Sequence, residues 1–409
     1  MEKRSLTMAY GKWVDGEQFW GRETDLDLFI SMIDSGAHSL LIAQRRMGKT
    51  SLMKETARRL HARYLCLFVD LQKCASAADA VVELGLAVHP YQPLWKQVFS
   101  RVAENVEGLN LGEIGIKLRA GLAGEWQRRG DELMGALAGS ELPVLLLIDE
   151  APILVNRILK GADYRITPER RQQADLFLSW LRDNSIRHQG KIRIVLSGSI
   201  GLEPVLRQGR LSANLNNFEP FELKPWDEET ARGCLEALAA GYKLEFEPGV
   251  PGQMVEMLGC CIPHHVQMFF RHARDWCVRQ QRNKVFPADV KTIYDTELLS
   301  IRGHAELTHY EERLRMVLGE ETFPMALELL TETAVVGHLT AEAVEAISRA
   351  YEFCTTSAPE ARREILDVLE HDGYIERKED RHRLISKLLR DWWKARHGFG
   401  YIPTLKRGA

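Results

Sequence analysis

The chain has 409 residues, a net charge of −3 and an apolar fraction of 45%, which is typical of a globular protein of two or three domains. The balanced charge gives no bulk indication of nucleic-acid binding. No apolar run reaches the roughly 20 residues of a membrane helix, and the N-terminus has no apolar signal core. Seven cysteines without metal-ligand spacing favour buried thiols in a cytoplasmic protein.

The first predicted elements are a strand and a helix joined by a loop that contains glycine. An apolar run predicts the strand over about 38–43, and a helical pattern follows over about 49–62. The connecting residues 43–51 read Ala-Gln-Arg-Arg-Met-Gly-Lys-Thr-Ser. A strand, a loop ending in Gly-Lys-Thr and a helix, in this order, predict a phosphate-binding P-loop.

The residue types in this loop suit the phosphates of a nucleotide. Backbone N–H groups at the helix start would surround the β-phosphate, and Gly48 would let the backbone approach it closely. Lys49 would neutralise the phosphate oxygens, and the Thr50 hydroxyl would bind Mg²⁺. Ala43 stands where the motif has its first glycine, and it fits only if its φ angle is negative.

A second motif follows the next predicted strands. Tyr64 to Val69 predicts strand 2, and a long, mostly helical insertion over 77–142 separates it from strand 3 at 143–148. Strand 3 is an apolar run that ends in Asp149 and Glu150, as in a buried parallel strand that delivers acids to its carboxyl end. We expect Asp149 to hold Mg²⁺ through water and Glu150 to activate the attacking water as general base.

Two further strands complete a predicted α/β P-loop NTPase domain with a parallel sheet, over residues 1–225. Strand 4 at 192–196 is followed by Ser197-Gly198-Ser199, and strand 5 covers about 218–223. Ligands of such sheets bind beyond the carboxyl ends of the strands. The hydroxyl of Ser199 could therefore orient the attacking water or the γ-phosphate, although an ordinary small-residue turn explains the sequence equally well.

The remaining sequence predicts an all-α lid over 226–303 and a winged-helix domain over 304–409. Helical patterns in the last domain precede two short strands around a charged turn and a final amphipathic helix, which is the winged-helix order. The candidate recognition helix at 360–371 carries more acidic than basic residues, whereas the wing and the final helix are basic. The domain therefore either contacts DNA or packs against the nucleotide domain and senses it.

These motifs together resemble the archaeal-type ATPases, which belong to the STAND branch of P-loop ATPases and are relatives of AAA+ and origin-recognition proteins. The resemblance is carried by Phe-Trp-Gly-Arg-Glu at 19–23, by Arg-Arg-Met-Gly-Lys-Thr-Ser-Leu at 45–52, and by Leu-Ile-Asp-Glu at 147–150. Gly-x-x-x-Pro at 259–263 and the terminal winged helix extend it over residues 19 to 397. The insertion at 77–142 departs from it.

The resemblance implies a role for individual residues. Trp20, Gly21 and Arg22 would line the adenine side of the site, and Pro263 would contact the base or ribose from the other side. Relatives often contact the nucleotide phosphates with an arginine or a His-Asp pair, and this sequence matches neither well. Lys387 could take the place of such a phosphate sensor. The loop residues that would bind the phosphates are Arg46, Met47, Gly48, Lys49, Thr50 and Ser51.

Three functions agree with this pattern. The leading hypothesis is a slow ATPase that binds Mg²⁺ with ATP or ADP and changes its homo-oligomeric state, or its binding to a partner protein, with the nucleotide. The alternative is a DNA-associated ATPase that acts as a loader or a transposition-type regulator. A third is a nucleotide-binding scaffold that hardly hydrolyses ATP, which Ala43 would suit. None of them involves a membrane.

Overall fold

The computed structural model of the protein describes residues 4–98, 115, 124–300, 307–354 and 357–407. Much of the predicted helical insertion, at 99–114 and 116–123, lies outside the described residues. The chain divides into two compact units. The first, the sheet unit, comprises Arg22–Ala43 and Lys49–Leu223, and the second, the helical unit, comprises Met1–Gly21, Gln44–Gly48 and Lys224–Ala409. The predicted separation of a lid at 226–303 from a winged-helix domain at 304–409 stays a prediction.

The sheet unit is built on five parallel strands. These are β1 (His38–Ile42), β2 (Leu65–Asp70), β3 (Val144–Asp149), β4 (Ile192–Ser197) and β5 (Phe218–Glu222). They lie in the order β2-β3-β4-β1-β5, and all paired neighbours are parallel. Every residue of β3 is buried, which explains its uninterrupted apolar sequence. The predicted P-loop NTPase fold with a parallel sheet is confirmed.

Helices connect the strands of the sheet unit and begin at residues suited to that position. Thr167 caps one of them by accepting a hydrogen bond from the backbone N–H of Arg170, and Pro168 occupies its first turn. The helices are α1 (Glu23–Ser35), α2 (Lys49–Leu60), α3 (Ala77–Val88), α4 (Gln92–Val98), α5 (Trp126–Ala138), α6 (Ala151–Lys160), α7 (Pro168–Arg187) and α8 (Leu202–Gly209).

The helical unit contains eight further α-helices in its described residues, and two short β-pairs. The helices are α9 (Glu228–Tyr242), α10 (Val250–Leu258), α11 (Pro263–Arg279), α12 (Pro287–Ile293), α13 (His309–Val336), α14 (Ala341–Ser348), α15 (Ala358–His371) and α16 (Lys387–His397). The strands are β6 (Glu245–Phe246), β7 (Lys284–Val285), β8 (Ile375–Lys378) and β9 (Arg381–Leu384). Within the described ranges, no helix is both long and apolar enough to cross a membrane.

The last elements have the order predicted for a winged helix. Helices α13 to α15 precede β8 and β9, which form an antiparallel hairpin around Glu379 and Asp380. Glu379 has a φ of 55°, as tight hairpin turns require. Helix α16 buries both Trp392 and Trp393, and the Trp393 indole donates to Thr331 Oγ1 of α13 at 3.2 Å. This region fits the predicted helical lid and winged helix.

The cysteines agree only partly with the prediction of buried thiols. None of the seven, all of them among the described residues, forms a disulfide, and burial raises the pKa of Cys260 to about 12 and that of Cys261 to about 11. Cys354, however, is exposed, so the prediction is wrong for this residue.

Candidate functional site

The predicted P-loop runs from the end of β1 to the start of α2. Two of its residues lie in the left-handed region, Arg46 with a φ of 70° and Gly48 with a φ of 95°. Ala43 does not, so alanine suits the place where the motif has its first glycine. A Cβ on Gly48 would meet no atom within 4 Å, which leaves its backbone open to close approach. Because Arg46 has a Cβ, its left-handed backbone is less favourable than a right-handed one by about 1–2 kcal/mol.

Lysine, threonine and aspartate of the two predicted motifs lie together in the sheet unit. Lys49 is 7% exposed, and its ammonium donates to the carbonyl of Ala43 at 2.6 Å. Thr50 Oγ1 donates to Asp149 Oδ2 at 2.8 Å. A hydroxyl and a carboxylate at this separation are the hard oxygen donors that Mg²⁺ takes, usually together with waters and phosphate oxygens. These residues therefore fit a magnesium–nucleotide complex.

The electrostatics of Asp149 point in the same direction. Burial, followed by the neighbouring Glu150 carboxylate, raises the pKa of Asp149, and the Thr50 hydrogen bond and Lys49 only partly oppose this. A bound cation would favour the ionised carboxylate. No group of three or more His, Cys, Asp or Glu among the described residues is arranged to hold a metal ion, so Mg²⁺ at Asp149 would depend on the nucleotide for further ligands.

Glu150 is held by the turn that follows β4. Its backbone is left-handed, with a φ of 58° and a ψ of 26°. Its Oε2 accepts hydrogen bonds from the Ser199 backbone N–H at 2.8 Å and from Ser199 Oγ at 2.9 Å. Oε1 makes no hydrogen bond with any described residue. The Ser199 hydroxyl, predicted to face water or the γ-phosphate, thus binds the carboxylate of the predicted base.

Two neighbours of Ser199 define the shape of this turn. A Cβ on Gly198 would lie 2.4 Å from Pro152 Cδ, so only glycine allows the turn to pack against the residues that follow Glu150. Ser197, the last residue of β4, is fully buried, and its hydroxyl has no hydrogen-bond partner among the residues that the structure describes. Such an orphan hydroxyl at the carboxyl edge of the sheet fits a polar ligand there.

In the helical unit, Trp20 and Gly21 lie against the start of α9. The Trp20 indole donates to the carbonyl of Thr230 at 3.1 Å. Gly21 has a φ of 63°, and a Cβ on it would lie 2.2 Å from Thr230 Cγ2 and 3.1 Å from Trp226 Nε1. Glycine is therefore required at residue 21 for its conformation and for space.

Trp226 connects the two segments predicted to flank the adenine. Its ring lies beside Gly21, and its backbone N–H donates to the carbonyl of Cys261 at 3.1 Å, two residues before Pro263. Its own indole N–H is buried and has no hydrogen-bond partner in the described part of the chain, so an acceptor such as a purine nitrogen would satisfy it. The sequence gives one signal for this residue, an aromatic directly before Asp227, which caps α9.

The Gly-x-x-x-Pro motif has a structural explanation within the helical unit. Gly259 has a φ of 73°, and a Cβ on it would lie 2.8 Å from the backbone nitrogen of Lys387. Pro263 occupies the first position of α11, where proline is favoured. The Lys387 ammonium pairs with Asp391 at 3.2 Å and lies 4.4 Å from the centre of the Tyr294 ring.

Arg46 of the loop lies near three buried histidines, which we call the histidine cluster: His264, His265 and His309. Burial and then Arg46 lower the pKa of His265 to about 3, and burial with Arg45 and Arg46 lowers that of His309 to about 2. Burial, followed by Arg46, holds the pKa of His264 well below its usual range. The cluster is therefore neutral at physiological pH, and Arg46 forms no ion pair with a carboxylate of the described residues.

Three other residues are predicted from the sequence to contact the nucleotide. Arg22 belongs to the sheet unit, is 7% exposed and pairs with Asp25 at 2.9 Å. Met47 is buried, and Ser51 lies in the first turn of α2. Their predicted contacts with a nucleotide stay predictions.

Comparison with known proteins identifies the fold. The Walker-type ATPase PABY2304 of Pyrococcus abyssi shares 15% identity with this chain and superposes with a TM-score of 0.63, covering 93% of this chain and 98% of that one. The chain has the fold of a Walker-type ATPase. The ORC2 protein of Aeropyrum pernix, solved in ADPNP–ADP complexes, shares 14% identity with a TM-score of 0.50, over 92% and 95% of the two chains. No protein-family model matches the chain, and no curated protein matches it.

These likenesses confirm the coarser part of the predicted resemblance, the fold of a P-loop ATPase. At such low identity they show the fold alone. The assignment to the STAND branch stays a prediction.

Proposed function

We propose that the protein binds Mg²⁺–ATP at the loop 43–51, hydrolyses it slowly, and changes its oligomeric state or its binding to a partner protein with the nucleotide. The proposal rests chiefly on Thr50 and Asp149, which come from distant parts of the sequence and meet at 2.8 Å directly beside Lys49. Walker-type ATPases share this fold. Arg46 has no carboxylate partner among the described residues, which further favours an anionic ligand of the loop.

The chain's own residues divide the chemistry as follows. Bound Mg²⁺ would withdraw charge from the phosphate oxygens. Lys49 would exchange the carbonyl of Ala43 for a phosphate oxygen, and Thr50 and Asp149 would hold the metal. Glu150 would take the proton of the attacking water at Oε1, while Ser199 holds Oε2 and thereby orients the carboxylate.

The direct test of the switch is a mass measurement of the purified protein with ADP and then with a non-hydrolysable ATP analogue. We expect a change in mass, or in the set of partners retained, between the two states. The same mass and the same partners in both states, with both nucleotides bound, would contradict the switch and favour a nucleotide-binding scaffold.

A DNA-associated ATPase is the second candidate, and the hairpin of β8 and β9 favours it. Arg377, Lys378, Arg381 and Arg383 are all exposed on this hairpin, and such a basic surface suits a phosphate backbone. The ORC2 protein has a related fold. Duplex DNA should then stimulate ATP hydrolysis, and its binding should weaken steeply with salt; a rate that DNA leaves unchanged would exclude this candidate in favour of the first.

A further inference from the structure

The side chain of Gln44, at the start of the P-loop, fits into a notch at the end of α15. The notch is formed by Gly373, which has a φ of 73°. A Cβ on Gly373 would lie 2.0 Å from Gln44 Cδ and 2.2 Å from its Cγ and Nε2. These distances are far below any permitted contact, so the notch exists only because residue 373 is glycine.

The position of this notch is fixed by its neighbours. The Gly373 backbone N–H donates to the carbonyl of Glu370 at 3.1 Å, and that of Tyr374 donates to Leu369 at 2.8 Å. Tyr374 is 2% exposed, and its hydroxyl donates to the carbonyl of Tyr310 in α13 at 2.7 Å. The helix end that receives Gln44 is therefore anchored to another helix of the same unit.

A second residue of the loop influences the electrostatics of a different helix of the helical unit. Arg46 lies near His264 and His265, both in the first turn of α11. Nε2 of His264 and both ring nitrogens of His265 have no hydrogen-bond partner among the described residues. The left-handed backbone of Arg46 is unfavourable for an isolated residue, so its surroundings must maintain it.

We propose that Gln44 is a positioning residue of the P-loop. Through it, the end of α15 holds the loop that leads to Gly48 and Lys49. This inference rests on the proposed function and adds the route of regulation: the loop itself, and not an added phosphate-sensing side chain, links the nucleotide to the C-terminal elements. Lys387 agrees with this, because its ammonium is already paired with Asp391.

The coupling has a thermodynamic consequence. If the γ-phosphate changes the arrangement of the loop, ATP and ADP differ in how well they tolerate the contact between Gln44 and Gly373. By linkage, a change at Gly373 must then alter the ratio of the two nucleotide affinities. A purely structural role would lower the two affinities equally or lower only the melting temperature.

The test is Gly373→Ala, with Gly337→Ala as the matched control. Gly337 also follows a helix of the C-terminal region and is left-handed, with a φ of 91°, but a Cβ on it would meet no atom within 4 Å. Both variants therefore introduce backbone strain, and only Gly373→Ala displaces Gln44. Gln44→Ala and the double variant complete a thermodynamic cycle.

Two measurements are made on each variant. In the nucleotide-free protein, hydrogen exchange of the amides at 44–48 should be faster in Gly373→Ala than in Gly337→Ala. The ratio of the affinities for a non-hydrolysable ATP analogue and for ADP should change by on the order of tenfold. In a protein that already carries Gln44→Ala, Gly373→Ala should change the exchange rates and the affinity ratio no more than Gly337→Ala does.

Equal behaviour of the two glycine variants in both measurements would overturn the inference, as would an effect of Gly373→Ala that persists in full without the Gln44 side chain. Failure of the proposed function is distinguishable, because it would appear as a wild-type protein that binds no nucleotide. The exchange measurement needs no nucleotide and would still test the contact between Gln44 and Gly373.

Discussion

Replacing Glu150 by glutamine separates its predicted chemistry from its structural contacts. The glutamine carbonyl oxygen can accept both hydrogen bonds from Ser199, at 2.8 and 2.9 Å in the wild type, so the turn after β4 keeps its partner. Each bond loses the advantage of an ionised acceptor, about 1 kcal/mol, but the repulsion between Glu150 and Asp149 disappears as well. We therefore expect the free energy of unfolding to change by no more than about 1 kcal/mol.

The effect on turnover should be much larger. A glutamine cannot take the proton of the attacking water, and general-base catalysis contributes about 10²- to 10⁴-fold, or about 3–5 kcal/mol of the barrier. Single-turnover phosphate release measures the chemical step, and calorimetry measures ATP affinity, which should be retained. Normal turnover in a folded Glu150→Gln protein would refute the reasoning and place the base elsewhere.

Glu150→Ala is the control for a merely structural role. It removes the one oxygen that accepts from both Ser199 donors and should reduce the free energy of unfolding by about 1–3 kcal/mol. If Glu150 serves only to hold the turn, the alanine variant would lose activity and the glutamine variant would keep it. Equal loss of turnover in both, with only the alanine variant destabilised, is the result we expect.

Three further changes test other parts of the site. Lys49→Ala should abolish nucleotide binding measured by calorimetry, and unchanged affinity in the folded variant would disprove the P-loop assignment. Gly21→Ala places a Cβ 2.2 Å from Thr230 Cγ2, so the free energy of unfolding should fall by about 1–3 kcal/mol and the melting temperature should fall with it. A wild-type melting temperature would contradict the close contact between Gly21 and Thr230. The raised pKa of Asp149 means that the folded state holds this proton more tightly than the unfolded state. The nucleotide-free protein should therefore lose stability as the pH rises from the ordinary aspartate range through that raised pKa, and urea unfolding at several pH values should show a weaker decline in Asp149→Asn.

The sequence best predicts the helices and strands that a local residue pattern marks. An uninterrupted apolar run predicts the third strand at 143–148, and the structure has it at Val144–Asp149. No helix is predicted at Ala151–Lys160, because a short, mostly apolar segment cannot be told from a strand by its periodicity alone. Nine of its ten residues are buried. The helical patterns predicted for the last domain do not show that His309–Val336 is interrupted by non-helical geometry at Gly319.

The candidate site follows the same rule. Lys49, Thr50 and Asp149 are predictable because each belongs to a short motif with its own chemistry. The bond between Ser199 and Glu150 joins residues 49 positions apart, and the notch at Gly373 receives a side chain from near the other end of the sequence. No local pattern encodes such contacts, since they arise only when the elements have packed.

The left-handed backbone of Glu150 affects which substitutions selection would favour at this position. Glycine or asparagine would adopt a φ of 58° more readily than glutamate does, by about 1 kcal/mol or more. In a lineage that no longer needs hydrolysis, selection for stability alone would favour one of these substitutions. The residue found at this position in any descendant chain therefore indicates whether that lineage still needs the hydrolytic step or has kept only the binding of nucleotide.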